Sequence, residues 1–162
     1  MNKKKGFTLI ELLIVIAIIA ILAAIIFVAV DPGRRLAEAR NAQRWASVNS
    51  ILNAYLKYTV DNKGTEPATL TANQEYMVVY NSGADFGGCD AINATTTNAV
   101  IILKKIVDDG YISELPYDPN KDDASAEKTY YWMKKKGNGR IIVGACGPET
   151  VGGQTPRIEV SR

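Results

Sequence analysis

The 162-residue chain contains no histidine and only two cysteines. Histidine is the usual general base, the usual partner in a catalytic triad and the commonest metal ligand, so its absence excludes histidine-dependent hydrolases and zinc–histidine sites. Two cysteines cannot supply a four-ligand zinc or iron–sulfur site on their own. Cys89 and Cys146 therefore form either a disulfide or two free thiols.

Other catalytic signatures are missing as well. The sequence has no glycine-rich phosphate-binding loop, no serine-centred nucleophile elbow and no paired-carboxylate motif. From Asp31 onward, basic and acidic residues are equal in number, 16 of each, so the chain shows no basic footprint for nucleic acid. We therefore expect no enzyme and no direct nucleic-acid signature.

The strongest feature is a run of 19 consecutive apolar residues, Leu12 to Val30, preceded by three lysines and by Glu11. Such a run can cross a bilayer as a helix with the lysines inside. A cleaved secretory signal has a shorter apolar core and a small-residue cleavage site, which the segment Phe27 to Val30 lacks. A plain membrane anchor is an alternative, but an acid at the edge of a span costs about 1–3 kcal/mol and needs a partner.

The residues around this acid carry a motif. The sequence KGFTLIELLIV at residues 5–15 resembles the processing motif of type IV pilins and pseudopilins, a short basic leader ending in glycine and then Phe-Thr-Leu-Ile-Glu. The resemblance covers about the first thirty residues closely and the rest in organisation only. It implies cleavage by prepilin peptidase between Gly6 and Phe7 on the cytoplasmic side, N-methylation of Phe7, and retention of the apolar helix.

The resemblance also implies a role for Glu11 in assembly. In the family, the new terminal amine of one subunit pairs with this glutamate of a neighbouring subunit. Two opposite charges that meet in an apolar fibre core relieve the cost that each would have alone. We expect Glu11 to set the register between subunits.

The resemblance further implies a long N-terminal helix whose first half protrudes and whose second half packs on a small head. Asp31 is a good N-cap and Pro32 suits the first helical turn, so we expect the helix to restart there after the apolar run. The family often has a proline near Val28, so any melted segment is expected between Val28 and Gly33. The predicted divisions are a cleaved leader at 1–6, a transmembrane and fibre-core helix at 7–30, an amphipathic second half at 31–60, and a head at 61–162.

The second half of the helix has one apolar face. Its members recur at three- and four-residue steps and predict packing on a sheet; they are Trp45, Val48, Leu52, Tyr55 and Leu56. The arginines of the same helix are interpreted as a solvated face, the alternative being contacts with acids on neighbouring subunits. They are Arg34, Arg35, Arg40 and Arg44.

The predicted head is α+β, with three or four antiparallel strands packed on the long helix. A second amphipathic segment is predicted at 98–109, with Gly110 as its C-cap. The turn residues Gly137-Asn138-Gly139 predict a hairpin. The predicted strands are Tyr76–Tyr80, Thr129–Lys135, Arg140–Cys146 and Arg157–Val160.

The stretch Leu115-Pro116-Tyr117-Asp118-Pro119 is similar to the Leu-Pro-x-Asp-Pro stretch of major pseudopilins from type II secretion, which introduces a calcium-binding loop. The Trp-Gly that usually follows is replaced by Asn120-Lys121, and an EF-hand would need glycine at Asp123. A solvated turn is therefore the alternative to calcium, and no other cofactor is expected. The candidate oxygen ligands are Asp118, Asn120, Asp122 and Asp123.

Two further features lie in the part expected to face the outside. Disulfides persist there, and a bridge between Cys89 and Cys146 would contribute about 4 kcal/mol in the chain-entropy model; two buried thiols are the alternative. Asn93-Ala94-Thr95 matches the N-glycosylation sequon, although so short a motif arises easily by chance in a loop rich in Thr and Asn.

These observations predict a structural subunit, a pilin, that polymerises through its N-terminal helix into an extracellular filament for adhesion, motility or uptake. Before assembly it would be a single-pass precursor in the inner membrane. The expected partners are copies of itself, prepilin peptidase/methylase and the pilus assembly platform. The alternatives are a pseudopilin of type II secretion and, from another class, a single-pass anchor with a ligand-binding or enzymatic head.

Overall fold

Two helices occupy the first part of the chain. A computed structural model describes residues 6–81, 89–92 and 99–162 and divides the chain into an N-terminal unit, Met1–Leu36, and a C-terminal unit, Ala37–Arg162. Helix α1 spans Leu9–Val30 and helix α2 spans Pro32–Asp61. The predicted restart is present, since α2 begins at Pro32 and the Arg34 N–H donates to Asp31 Oδ1 at 3.3 Å.

Helix α2 is amphipathic and packs its apolar face against the core of the C-terminal unit. Val48, Leu52 and Tyr55 are buried as predicted, whereas Trp45 is 38% exposed, so its assignment to the buried face is wrong. The buried arc runs from Val48 through Ile51, Tyr55 and Tyr58 at steps of three and four. Trp45 precedes Val48 by three residues but falls at the edge of this arc.

The C-terminal unit contains a five-stranded sheet in the order β2-β1-β3-β4-β5. Strands β1 and β2 are parallel and all other neighbours are antiparallel. The sheet is therefore mixed, and the prediction of a purely antiparallel sheet is wrong for this pair. The strands are β1 Glu75–Val79, β2 Ala99–Ile102, β3 Tyr131–Lys135, β4 Ile141–Ala145 and β5 Glu159–Ser161.

The parallel strand β2 comes from the segment predicted at 98–109, which is not one continuous element. Ala99–Ile102 pairs with β1, and the short helix α3, Lys104–Asp108, follows. A run of β-branched residues fits a pleated, half-buried surface better than a helix. The predicted end is present, because Gly110 has φ of 76° and its N–H donates to the Val107 carbonyl at 3.0 Å.

Both faces of the sheet carry apolar side chains. On one face, Val78, Tyr131 and Val143 pack with α2 residues in the larger core. On the other face, Met77, Trp132 and the two cysteines form a second cluster. Alternate residues of one strand point to opposite faces, and strands β1 to β4 each contribute residues to both clusters. The long N-terminal helical segment and the small mixed sheet give a pilin-like α+β fold.

Candidate functional site: the N-terminal segment and a buried ion cluster

Nearly all the apolar surface of the N-terminal unit is exposed. Helix α1 buries none of its residues, and Phe7, just before it, is 87% exposed. Among the described residues, one helical stretch, which begins at Leu9, is long and apolar enough to cross a membrane. Contiguous apolar surface of this extent marks a segment that contacts lipid or other protein chains.

The start of α1 is closed by a reciprocal capping box. Glu11 Oε2 accepts from the Thr8 N–H at 2.8 Å and from Thr8 Oγ1 at 2.7 Å, while the Glu11 N–H donates to Thr8 Oγ1 at 3.3 Å. Orphan N–H groups at a helix start are satisfied in this way. Glu11 therefore already has a polar partner within its own chain, which the sequence analysis did not anticipate.

The residues immediately before α1 are exposed and have no regular secondary structure. Gly6 and Phe7 precede the first helical residue, Leu9, and both are exposed. The bond between Gly6 and Phe7, where cleavage is predicted, therefore lies outside helix α1.

A second notable group lies in the C-terminal unit, where Arg44 is 1% exposed. Its Nε and Nη2 donate to the two carboxylate oxygens of Asp118, each at 2.8 Å. Its Nη1 donates to Glu149 Oε1 and to Asn41 Oδ1, both at 2.9 Å. Burial acts to lower the pKa of Arg44, but the hydrogen bonds and charges of the two acids outweigh it and raise that pKa.

The residues around Glu149 extend this cluster. Its carboxylate accepts from Arg40 Nη1 at 3.0 Å. Asn41 bonds to the Glu149 backbone in both directions, from its Nδ2 to the carbonyl at 2.8 Å and from the Glu149 N–H to its Oδ1 at 2.9 Å. Helix α2 is therefore fixed to two separate loops, those containing Asp118 and Glu149.

The family model for the prokaryotic N-terminal methylation motif matches residues 1–27. The chain carries the prepilin signal of type IV pilins and pseudopilins. This motif points to a family of structural subunits. No curated protein and no solved structure gives a significant match to the chain.

At Asp118, one of the predicted calcium ligands, the structure places an arginine side chain. Both oxygens of this carboxylate bind the Arg44 guanidinium, and one also accepts from the Asn120 N–H at 2.9 Å. Asp118 is 1% exposed. A guanidinium thus supplies the positive charge that the resemblance to pseudopilins assigned to a metal ion.

Asp123, another of the predicted calcium ligands, also has polar partners within the chain. The Asp123 carboxylate binds Lys128 Nζ and accepts from the Tyr130 hydroxyl at 2.7 Å. Hydrogen bonds from Lys128 and Tyr130 lower the pKa of Asp123. Within residues 6–81, 89–92 and 99–162, no three Asp, Glu, His or Cys side chains gather as a metal site would require. Asn120 and Asp122 lie in turns, and calcium binding by these residues stays a prediction.

The predicted disulfide is present in the structure. Cys89 and Cys146 are bonded with an S–S distance of 2.07 Å across a sequence separation of 57. Both residues are buried in the second core cluster. The alternative of two free thiols is wrong, and the bridge ties the end of β4 to a segment far away in sequence.

The sequence analysis missed the burial of Arg44, and two of its predictions fall on residues that the structure does not describe. Arg44 was assigned to a solvated face, but it lies four residues before Val48 and seven before Ile51, on the buried arc. That spacing was the available signal. The sequon Asn93-Ala94-Thr95 and residues 1–5 of the predicted leader lie outside the described residues.

Proposed function

We propose that the chain is a structural subunit of a bacterial type IV pilus. The observation that supports this most is the combination of a prepilin signal with a 22-residue apolar helix that buries nothing in its own chain. Bundling such helices from many subunits would bury their apolar surface and supply the driving force for a filament.

The proposed maturation begins at the exposed bond between Gly6 and Phe7. Prepilin peptidase removes the leader on the cytoplasmic side and the methylase modifies the new Phe7 amine, while the subunit stays in the inner membrane as a single-pass protein. The assembly platform then transfers it to the extracellular filament.

In the proposed filament, the Phe7 amine of one subunit pairs with Glu11 of its neighbour. Since the Glu11 carboxylate binds Thr8 in the single chain, this pairing adds a charged partner to a carboxylate that is already held at the helix start. The pair would select the register between subunits rather than supply the bulk of the stability.

A second candidate is a pseudopilin of type II secretion. The stretch Leu115–Pro119 favours it through its resemblance to the pseudopilin loop. The occupation of Asp118 by Arg44 weighs against it, since that loop would hold calcium in the pseudopilins. The two candidates share the same N-terminal processing and differ in where the processed chain accumulates.

The test is an intact-mass measurement on material sheared from the cell surface and on the membrane fraction of the same cells. For a pilus subunit, we expect abundant sheared chain that begins at N-methylated Phe7. Processed chain confined to the membrane fraction would favour the pseudopilin. A chain that retains Met1 in both fractions would contradict both candidates and favour a plain anchor.

A further inference from the structure

A shallow cavity of about 310 Å³ lies between helix α2 and the segment that follows α3. Its α2 wall consists of Ala46, Ser47 and Ser50, and its opposite wall includes Ser113 and Glu114. Among the described residues that line the cavity, Glu114 is the single charged one; it is exposed and has no ion pair with a described residue. The cavity therefore offers an unpaired carboxylate beside several hydroxyl groups.

The wall that carries Glu114 is fixed to the rest of the unit. The next residue, Leu115, is 1% exposed, and the carboxylate of Asp118 binds two nitrogens of the Arg44 guanidinium. The other wall belongs to a helix whose opposite arc packs in the larger core. Since both walls are held in place without a ligand, little conformational freedom is lost when the cavity is filled.

The turn between β3 and β4 carries the complementary charge. Lys136 and Arg140 are exposed there and neither has an ion pair with a described residue, whereas the two preceding lysines pair with Glu75 and Glu66. The Lys136 N–H donates to the Arg140 carbonyl at 2.8 Å, and the Gly139 N–H donates to the Lys136 carbonyl at 2.9 Å. The basic turn, defined by Lys136 and Arg140, is thus a hydrogen-bonded tip with two unpaired cations.

The cavity and the basic turn lie at different places along α2. The cavity ends at Ser50, whereas Lys135, just before the turn, binds Glu66, five residues beyond the end of α2 at Asp61. The helix rises about 16 Å between Ser50 and Asp61, and no residue of the basic turn lines the cavity of its own chain. A contact of this turn with the cavity of another copy would be heterologous, and a heterologous contact that does not close into a ring continues as an open helical array.

We propose that the cavity receives the basic turn of a second copy of the chain, with the Arg140 guanidinium on the Glu114 carboxylate. This inference rests on the proposed function, because it places the contact between neighbouring subunits of the filament. The planar donor fork of arginine suits a carboxylate. Exposed ion pairs are individually weak, so the contact selects the register of subunits that the apolar helices hold together, and it does not replace those helices.

The experiment exchanges the charges of the two surfaces in cells that produce the full chain. Lys136→Glu with Arg140→Glu reverses the basic turn, Glu114→Arg reverses the cavity, and the triple variant restores opposite charges. The control combines the reversed turn with Asp122→Arg, which changes the net charge equally at an exposed acid outside the cavity. Filament yield is the amount of processed chain that is sheared from the cells, measured by intact mass.

A second pair of variants tests the cavity without any change of charge. Ser50→Phe fills the cavity from its α2 wall at an exposed position. Ala42→Phe places the same side chain at an exposed position of α2 outside the cavity. Only the first substitution should lower the filament yield.

We expect each reversal to lower the yield at least about fivefold, because it replaces an attraction by a repulsion between like charges. The triple variant should recover to within about twofold of the wild type, because the attraction returns, and the control combination should not recover. Melting temperatures and the amount of processed chain in the membrane should stay unchanged.

Three results would overturn the proposed contact: full yield from a reversed turn or cavity, a triple variant no better than the control combination, or equal yields from Ser50→Phe and Ala42→Phe. A wild type that gives no sheared chain would overturn the proposed pilus and this contact with it. The two failures are therefore distinguishable.

Discussion

The two units of this chain use the same kinds of apolar residue in opposite ways. In the C-terminal unit, residues such as Val48, Val78 and Val143 are wholly buried against one another. In the N-terminal unit, the isoleucines and leucines of α1 are roughly half exposed or more, and none is buried. The first unit therefore depends on surroundings outside the chain, whereas the second contains the interactions that stabilise its own fold.

The difference follows from how the apolar residues are distributed. Helix α1 is apolar on every side, which is typical of a helix surrounded by lipid or by other helices. Helix α2 is apolar on one arc only and places that arc on a sheet. Changes in α1 should thus affect assembly, and changes in the buried contacts of the C-terminal unit should affect folding.

The largest effect on assembly is expected at Glu11. Glu11→Ala should reduce filament yield at least about tenfold, because the neighbouring amine would be left buried without its charge partner. The melting temperature of the C-terminal unit should not change. Glu11→Gln is the matched control, since it retains an oxygen that accepts from Thr8; normal filaments from Glu11→Gln would show that capping, and not charge, is what assembly needs.

The largest effect on folding is expected at Arg44. Arg44→Met should lower the free energy of unfolding by about 3–5 kcal/mol, because it leaves the buried Asp118 carboxylate without its partner. Urea unfolding measures this. Arg40→Met, which removes a partly exposed pair to Glu149, should cost less than about 1 kcal/mol. Equal losses in the two variants would contradict the account of a buried cluster.

Removal of the disulfide should have a somewhat smaller effect. The double variant Cys89→Ser, Cys146→Ser should lose about 2–4 kcal/mol, mainly because its unfolded chain is less constrained. Reductant should lower the unfolding midpoint of the wild type and leave that of the double variant unchanged. A wild-type midpoint that does not respond to complete reduction would mean that the bridge adds nothing to stability.

The smallest of the four effects is expected at Gly144, over which the indole of Trp132 lies. A Cβ added there would sit 2.5 Å from a ring carbon of Trp132, so Gly144→Ala should cost about 1–3 kcal/mol through overpacking. Gly137→Ala is the control, because its nearest neighbour outside the adjoining residues is at 3.6 Å. A Gly144→Ala variant as stable as Gly137→Ala would show that the ring can move away freely.

Much of the difference between the two units can be predicted from the sequence, because it depends on local sequence patterns. The apolar run, the proline at α2's start and the Gly137–Gly139 turn each act through neighbouring residues, and the elements appear where they predict them. The N-terminal motif is a contiguous run of residues, so it can be recognised without knowledge of the fold.

What the sequence did not reveal depends on contacts between distant residues. The parallel direction of β2 arises from its pairing with β1, and no local pattern encodes that choice. The burial of Arg44 depends on Asp118, which is 74 positions away. Arg44 was predicted to be exposed because arginine side chains usually are. The two acids that compensate its buried charge, Asp118 and Glu149, come close to it only in the folded chain.

The central claim is that folding and assembly reside in different units, and the most direct test is to remove the first of them. The fragment of residues 37–162, with its disulfide formed, is compared with the full chain by thermal unfolding and sedimentation. We predict a cooperative unfolding transition and a monomer at concentrations where the processed full chain assembles. A fragment that shows no cooperative transition, or that still forms filaments, would contradict the claim.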